Sequence, residues 1–193
     1  MFRNNIYKRF VRGIGISTAP RLNIKQLLIS NKNYKKCSSI YHKIKLLYKD
    51  QNIHWTTSST ESLKLIIKFI SKKKNGEVVL LFPAYYCNEV LESINELCNF
   101  EFYDITDSYY SIKKKLEDTH IDALIICNYF GEEDNHLLSN NIKKSFSGII
   151  IYDNAHSQVP SIRSLIENEF ILLSLYKHYP IREGACLIYN KKI

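Results

Sequence analysis

The chain has 193 residues, of which 45% are hydrophobic and 24% charged. This composition suits one folded domain of ordinary size and excludes a disordered or collagen-like chain, and the longest apolar runs fall far short of the ~20 residues that a membrane span needs. We therefore expect no membrane partner. The net charge is +8, but it accompanies a bias toward Lys, Ile, Asn and Tyr that is typical of AT-rich genomes. Because no nucleic-acid-binding motif accompanies this charge, we expect no nucleic-acid partner either.

Helical and strand-like segments alternate after residue 50. Apolar residues recur at helical spacing in residues 60–73, with Ser59 or Thr60 near the predicted cap of this helix. Short, strongly apolar segments predict strands, which would cover 78–83, 100–105, 123–131, 148–155, 170–177 and 185–190. Further helices are predicted between the first five strands, at 88–98, 111–119, 136–146 and 161–169.

This alternation predicts an α/β fold, a three-layer αβα sandwich around a mostly parallel sheet. Only residues 178–184 separate the last two strands, too few for a parallel crossover, so the final strand should run antiparallel to the others. Residues 1–50 read as a basic arm with helical pieces such as 41–50, and residues 51–193 as the domain itself.

The cysteines and histidines predict neither disulfides nor a metal site. The five cysteines are odd in number and form no CxxC pair, and the six histidines lack metal-ligand spacing. This usage is typical of a reducing compartment, and we expect a cytoplasmic protein.

Polar residues follow several of the predicted strands, at the edge where open α/β sheets bind ligands. An acid, a histidine and a lysine would meet there, namely Asp153, His156 and Lys177. The segment SSTESL (58–63) lies at a helix start, which favours anion binding.

Six segments, in order, resemble the motifs of the DegT/StrS-type sugar aminotransferases, within fold type I of the pyridoxal-phosphate enzymes. They are SSTESL (58–63), FPAYYC (82–87), YDI (103–105), NYFG (128–131), YDNAH (152–156), and SLYK (174–177) with Gly184 and Ala185. The resemblance covers about residues 50–190 and implies the large, cofactor-binding domain of that fold.

The resemblance implies pyridoxal 5'-phosphate as the cofactor, with Lys177 holding it covalently and then shuttling a proton as a general acid and base. Asp153 would pair with the ring nitrogen, and His156 would lie beside the phenolic oxygen. Tyr86 or Cys87 would stack on the ring, and the register does not decide between them. The residues implied for the phosphate are Ser59, Thr60, Glu61 and Ser174.

Each position also has an ordinary structural interpretation. Lys177 could be a surface lysine, Asp153 a helix N-cap, and His156 a core or capping histidine. The segment 58–61 could be a simple capping box. The order of the motifs favours the cofactor site.

The implied reaction transfers an amino group from an amino-acid donor to a nucleotide-linked keto-sugar, in a homodimer. Three positions depart from the family pattern, with Ser59 in place of the loop glycine, Glu61 in place of a small residue and Ala185 in place of a second glycine. The family continues into a C-terminal domain, which we expect to be absent here. The alternative is an inactive relic or interaction module of the same fold.

Overall fold

A computed structural model describes residues 40–130, 136–157, 165–179 and 181–190, without the side chains of 136–139. The predicted arm before residue 40 lies outside these ranges, as do residues 161–164 of the predicted helix 161–169. Residues 165–168 are not helical, with a turn at 167 and 168, and Glu169 already begins a strand, so that part of the helix prediction is wrong.

The described residues form helices and strands in near-regular alternation. The strands are β1 (Gln51–Thr56), β2 (Val79–Pro83), β3 (Asn99–Tyr103), β4 (Ala123–Cys127), β5 (Ile149–Asp153), β6 (Glu169–Ser174) and β7 (Ala185–Asn190). The helices are α1 (40–47), α2 (Ser59–Lys74), α3 (Asn88–Ile94), α4 (Ser108–Asp118) and α5 (His136–Lys143). Among the described helices, none is long and apolar enough to cross a membrane.

All seven strands form one sheet in the order β1-β7-β6-β5-β4-β2-β3. Strands β2 to β6 are mutually parallel, and β7 runs antiparallel to both of its neighbours, β6 and β1. The predicted mostly parallel sheet and antiparallel last strand are therefore confirmed.

Strand β1 is absent from the sequence prediction. It lies at a sheet edge and pairs only with β7, from Gln51 opposite Asn190 to Thr56 opposite Ala185. Only Ile53 and Trp55 are strongly apolar in this strand, which is too weak a pattern to predict a strand from sequence. The pairing depends on residues 129 to 139 positions away along the chain.

Helices cover both faces of the sheet, because buried strand residues alternate between two clusters. On one face, Ile125 and Ile151 pack with Leu63, Ile66 and Ile67 of α2. On the other face, the cluster includes residues of three helices, namely Ile44, Ile112 and Ile142. Burial of each such side chain stabilises the fold by about 1.5–3 kcal/mol. Helix α1 belongs to this core layer although it lies within the predicted arm.

Asp122 joins α2 to the amino-terminal edge of the sheet. Its Oδ2 accepts hydrogen bonds from Lys74 Nζ at 2.9 Å and from the Val79 amide at 2.8 Å. His120 Nε2 lies 3.0 Å from Oδ1. Burial raises the pKa of Asp122, but the hydrogen bonds from Val79, Lys74 and His120 outweigh it, and the net shift is downward from 3.8.

We expect the Asp122 carboxylate to make stability depend on acid pH. The pKa of Asp122 is lower in the folded chain than in the unfolded chain. Its contribution to the free energy of unfolding is therefore present in full above pH 3.8 and is lost as the pH falls through the folded pKa. Urea unfolding at stepped pH should show the gap in unfolding free energy between wild type and Asp122→Asn closing below pH 3.8. A gap that stays constant with pH would contradict this.

Candidate active site

Cys127, Asp153 and Ser174 end three adjacent parallel strands, β4, β5 and β6, at the carboxyl edge of the sheet. Cys127 is the register partner of Asp153. Each residue lies two positions after a core residue on the α2 face, so all three side chains share that face. The topology therefore brings a carboxylate, a thiol and a hydroxyl together where α2 begins.

Asp153 is 7% exposed, and both of its oxygens have donors. The Ala155 amide donates to Oδ1 at 3.0 Å, and the Tyr86 hydroxyl donates to Oδ2 at 2.6 Å. Burial is the first cause of a raised Tyr86 pKa, and the charge of Asp153 and its hydrogen bond are the next causes. Tyr86 therefore stays protonated and acts as the donor.

Cys127 and Tyr129 belong to the same cluster, although the sequence analysis assigned neither to the site. Burial raises the pKa of the Cys127 thiol, the charge of Asp153 raises it further, and the charge of Lys177 opposes both. Burial also raises the pKa of Tyr129, with Cys127 and Asp153 adding to the shift. Strand β4 ends at Cys127 and does not continue to residue 131 as predicted, so no sequence signal pointed to this thiol.

Lys177 does not close a strand, contrary to the prediction that β6 extends to residue 177. Strand β6 ends at Ser174, and Lys177 is the exposed last residue of a 3₁₀ turn, Leu175–Lys177. The chain turns here because the Gly184 carbonyl accepts from the Leu175 and Tyr176 amides. Gly184 has a φ of 148°, which strongly favours glycine.

The charges of Lys177 and Asp153 shift the pKa values of the same two residues, His156 and Cys127. Burial lowers the pKa of His156, the Lys177 charge lowers it further, and the Asp153 charge opposes these effects. Both charges also act on the Cys127 thiol. Both residues lie after adjacent parallel strands, Asp153 at the end of β5 and Lys177 in the turn that follows β6. His156 itself is exposed, and His178 Nε2 donates to the Ala155 carbonyl at 3.1 Å.

The start of α2 lies beside this space. Its N-cap is Ser58, whose side chain accepts from the Glu61 amide, and the predicted Ser59 and Thr60 lie directly after this cap. Ser59 and Thr60 thus occupy the first helical positions, where amide groups lack helical partners. Glu61 is exposed and pairs with Lys64 at 2.9 Å.

Ser174 is connected to this helix start through Gly184. The Gly184 amide donates to Thr57 O, and its carbonyl accepts from Leu175 N, both at 2.9 Å. Ser174 is 1% exposed, and its Oγ has no hydrogen-bond partner among the described residues. An unsatisfied buried hydroxyl, on a strand end that Gly184 links to a helix N-terminus, matches the chemistry of an anion site.

Some residues singled out from the sequence do not join this cluster. Asp104 Oδ1 accepts from the Thr106 amide and hydroxyl, which folds the carboxylate back onto its own loop. Cys87 is exposed and is the N-cap residue of α3. Tyr86, not Cys87, approaches Asp153. Among the described residues, no group of three or more potential metal ligands occurs.

Solved structures identify the fold. A putative sugar aminotransferase from Streptococcus pneumoniae, in its PMP form, is 14% identical over 89% of this chain and 51% of its own, with a TM-score of 0.64. A DegT DnrJ EryC1 StrS aminotransferase from Brucella abortus is 14% identical, with coverages of 88% and 54% and a TM-score of 0.61. A PLP-bound C-S lyase from Staphylococcus hominis is 15% identical, with coverages of 72% and 43% and a TM-score of 0.56.

The chain therefore shares the fold of these pyridoxal-phosphate enzymes, and it spans about half the length of the structures it matches. No protein-family model and no curated protein matches it. At this identity the similarity establishes the fold, which is common to aminotransferases and a lyase.

Proposed function

We propose that the chain binds pyridoxal 5'-phosphate and belongs to a sugar aminotransferase of the DegT/StrS type. The observation that carries this proposal is the position of buried Asp153 and exposed Lys177 after the adjacent parallel strands β5 and β6, at the carboxyl edge of the sheet. The fold shared with sugar aminotransferases supports it, as does the order of the sequence motifs.

The residues present fit the chemical groups of this cofactor. The buried, unpartnered Ser174 Oγ and the first turn of α2, with Ser59, Thr60 and Glu61, would bind the phosphate. Glu61 does not exclude this, since its carboxylate is exposed and paired with Lys64.

The remaining roles follow from charge and position. Asp153 would hold the ring nitrogen in its protonated form, and Lys177 would hold the cofactor covalently and then move a proton at its amine. His156 would lie beside the phenolic oxygen, and the Tyr86 ring against the cofactor ring. The bound cofactor would supply the electron sink that amino-group transfer requires.

For the substrates we propose an amino-acid donor and a nucleotide-linked keto-sugar, in a cytoplasmic homodimer. The support is the sequence resemblance and the naming of the Streptococcus pneumoniae neighbour as a putative sugar aminotransferase. The lyase neighbour shows that the fold does not by itself select this reaction.

Titration of the purified chain with pyridoxal phosphate tests the proposal. We expect a saturable visible absorbance band and, after borohydride reduction, a pyridoxyl group on a lysine located by mass spectrometry. Pyridoxal without phosphate should bind more weakly. Absence of any saturable adduct would contradict cofactor binding and favour the non-catalytic module of the same fold.

Ser174→Ala separates cofactor binding from folding. We expect pyridoxal phosphate affinity to fall about tenfold, because one hydrogen bond to a charged group is lost. Pyridoxal affinity should not change. Stability should hold or rise slightly, since the Ser174 hydroxyl is buried without a partner. Equal losses for both ligands would remove Ser174 from the phosphate site.

A further inference from the structure

We propose that Tyr86 is an internal ligand of Asp153 that the cofactor ring must displace, so that Tyr86 sets the affinity for the cofactor. This inference rests on the proposed function. It differs from the stacking role that the sequence resemblance implies for Tyr86, because it assigns the effect to the hydroxyl group and not to the ring.

The contact between the two residues is specific. The Tyr86 hydroxyl lies 2.6 Å from Asp153 Oδ2, within the short range of charge-assisted O–H···O bonds. The Tyr86 ring packs against the fully buried Phe82 ring, with centroids 4.8 Å apart. Phe82 belongs to β2, so the sheet holds the tyrosine in position to reach the end of β5.

Access to Asp153 depends on this contact. Direct pairing with a ring nitrogen requires approach to a carboxylate oxygen at hydrogen-bond distance. Asp153 is 7% exposed, its Oδ1 is held by the Ala155 amide of the same turn, and its Oδ2 is held by Tyr86. Of these two donors, only Tyr86 can leave by side-chain rotation, and its side chain as a whole is half-buried although its hydroxyl is buried against Asp153.

Tyr86 therefore has two opposing effects. In the absence of the cofactor, its hydroxyl donates to the buried Asp153 carboxylate and offsets the cost of burying that charge, which stabilises the fold. The same hydrogen bond must break when the nitrogen pairs with Oδ2, which reduces affinity by the strength of that bond. Removing the hydroxyl while keeping the ring should tighten cofactor binding about tenfold.

The test compares pyridoxal phosphate affinity of the full chain in wild type, Tyr86→Phe and Tyr85→Phe. Tyr85 is a matched control, because its side chain is 67% exposed and lies on the same segment. We expect Tyr86→Phe to bind about tenfold more tightly and Tyr85→Phe to bind like wild type. Unchanged or weaker binding by Tyr86→Phe, with wild-type binding intact, would overturn the displacement and leave the proposed function standing. If none of the three proteins binds, both proposals fail.

A second measurement uses the wild-type chain, in case Tyr86→Phe does not fold. In ring-labelled tyrosine NMR, the Tyr86 signal is assigned by a nuclear Overhauser effect to the Phe82 ring, whose centroid lies 4.8 Å away. Displacement from Asp153 should shift this signal when pyridoxal phosphate is added, but not when inorganic phosphate is added. A Tyr86 signal that stays in place at saturating cofactor would overturn the proposal.

Discussion

Replacing Lys177 with alanine should abolish the covalent adduct with pyridoxal phosphate and leave the domain folded. The reason is position: Lys177 ends the turn that follows β6, beside the strand that ends at Asp153, and its charge acts on Cys127 and His156 there. Because Lys177 is exposed, its removal should change the free energy of unfolding by less than about 0.5 kcal/mol. Absorbance and borohydride trapping measure the loss of the adduct, and urea unfolding measures the free energy of unfolding.

The matched control for this experiment is Lys114→Ala, an exposed lysine of α4. It should keep the wild-type band and the wild-type modified peptide. The pKa of His156 should rise in Lys177→Ala, because a neighbouring positive charge that lowers it is gone. A borohydride-stable pyridoxyl group on another lysine in Lys177→Ala would reassign the site.

Lys143→Met should destabilise the chain by about 3 kcal/mol or more, a large part of the 5–15 kcal/mol typical of a domain. Lys143 pairs with Glu169, which is 2% exposed at the start of β6. Glu169 also accepts hydrogen bonds from the Tyr152 hydroxyl at 2.8 Å and from the Ile166 amide at 2.9 Å. Without the lysine, a buried carboxylate would lose its counter-charge.

Lys144→Met is the matched control, since Lys144 is the adjacent and exposed lysine. We expect it to change the unfolding free energy by less than about 0.5 kcal/mol. Chemical denaturation with circular dichroism measures both variants. Equal effects of the two substitutions would mean that the buried pair contributes no net stability.

Local patterns in the sequence were enough to predict the order of elements between residues 59 and 190, except near residue 165. Buried parallel strands are continuous apolar runs, as in Ala123–Cys127 and Ile149–Asp153, and helices carry an apolar stripe, as in Ser59–Lys74. The short link before β7 also determined its antiparallel direction, because seven residues cannot cross over the sheet.

Strand ends and caps were predicted less well, because they depend on hydrogen bonds between distant segments. The Thr57 carbonyl accepts from Gly184, and the Gly184 carbonyl accepts from Leu175, so the turn that carries Lys177 is tied to the start of α2. The hydrophobic periodicity of these segments does not indicate that such distant residues are hydrogen-bonded. The edge strand β1 was missed for the same reason.

The sequence by itself determined the α/β class, the antiparallel last strand and the presence of Asp153 and Lys177 near the carboxyl edge, because these follow from local hydrophobic periodicity and short connections. Only the tertiary structure decided that Tyr86 donates to Asp153, that Cys127 joins the same cluster and that Ser174 is buried without a partner. The physical reason is that hydrogen bonding and burial at this site join residues from different strands. Their distances are set by packing of the whole sheet and not by any local pattern.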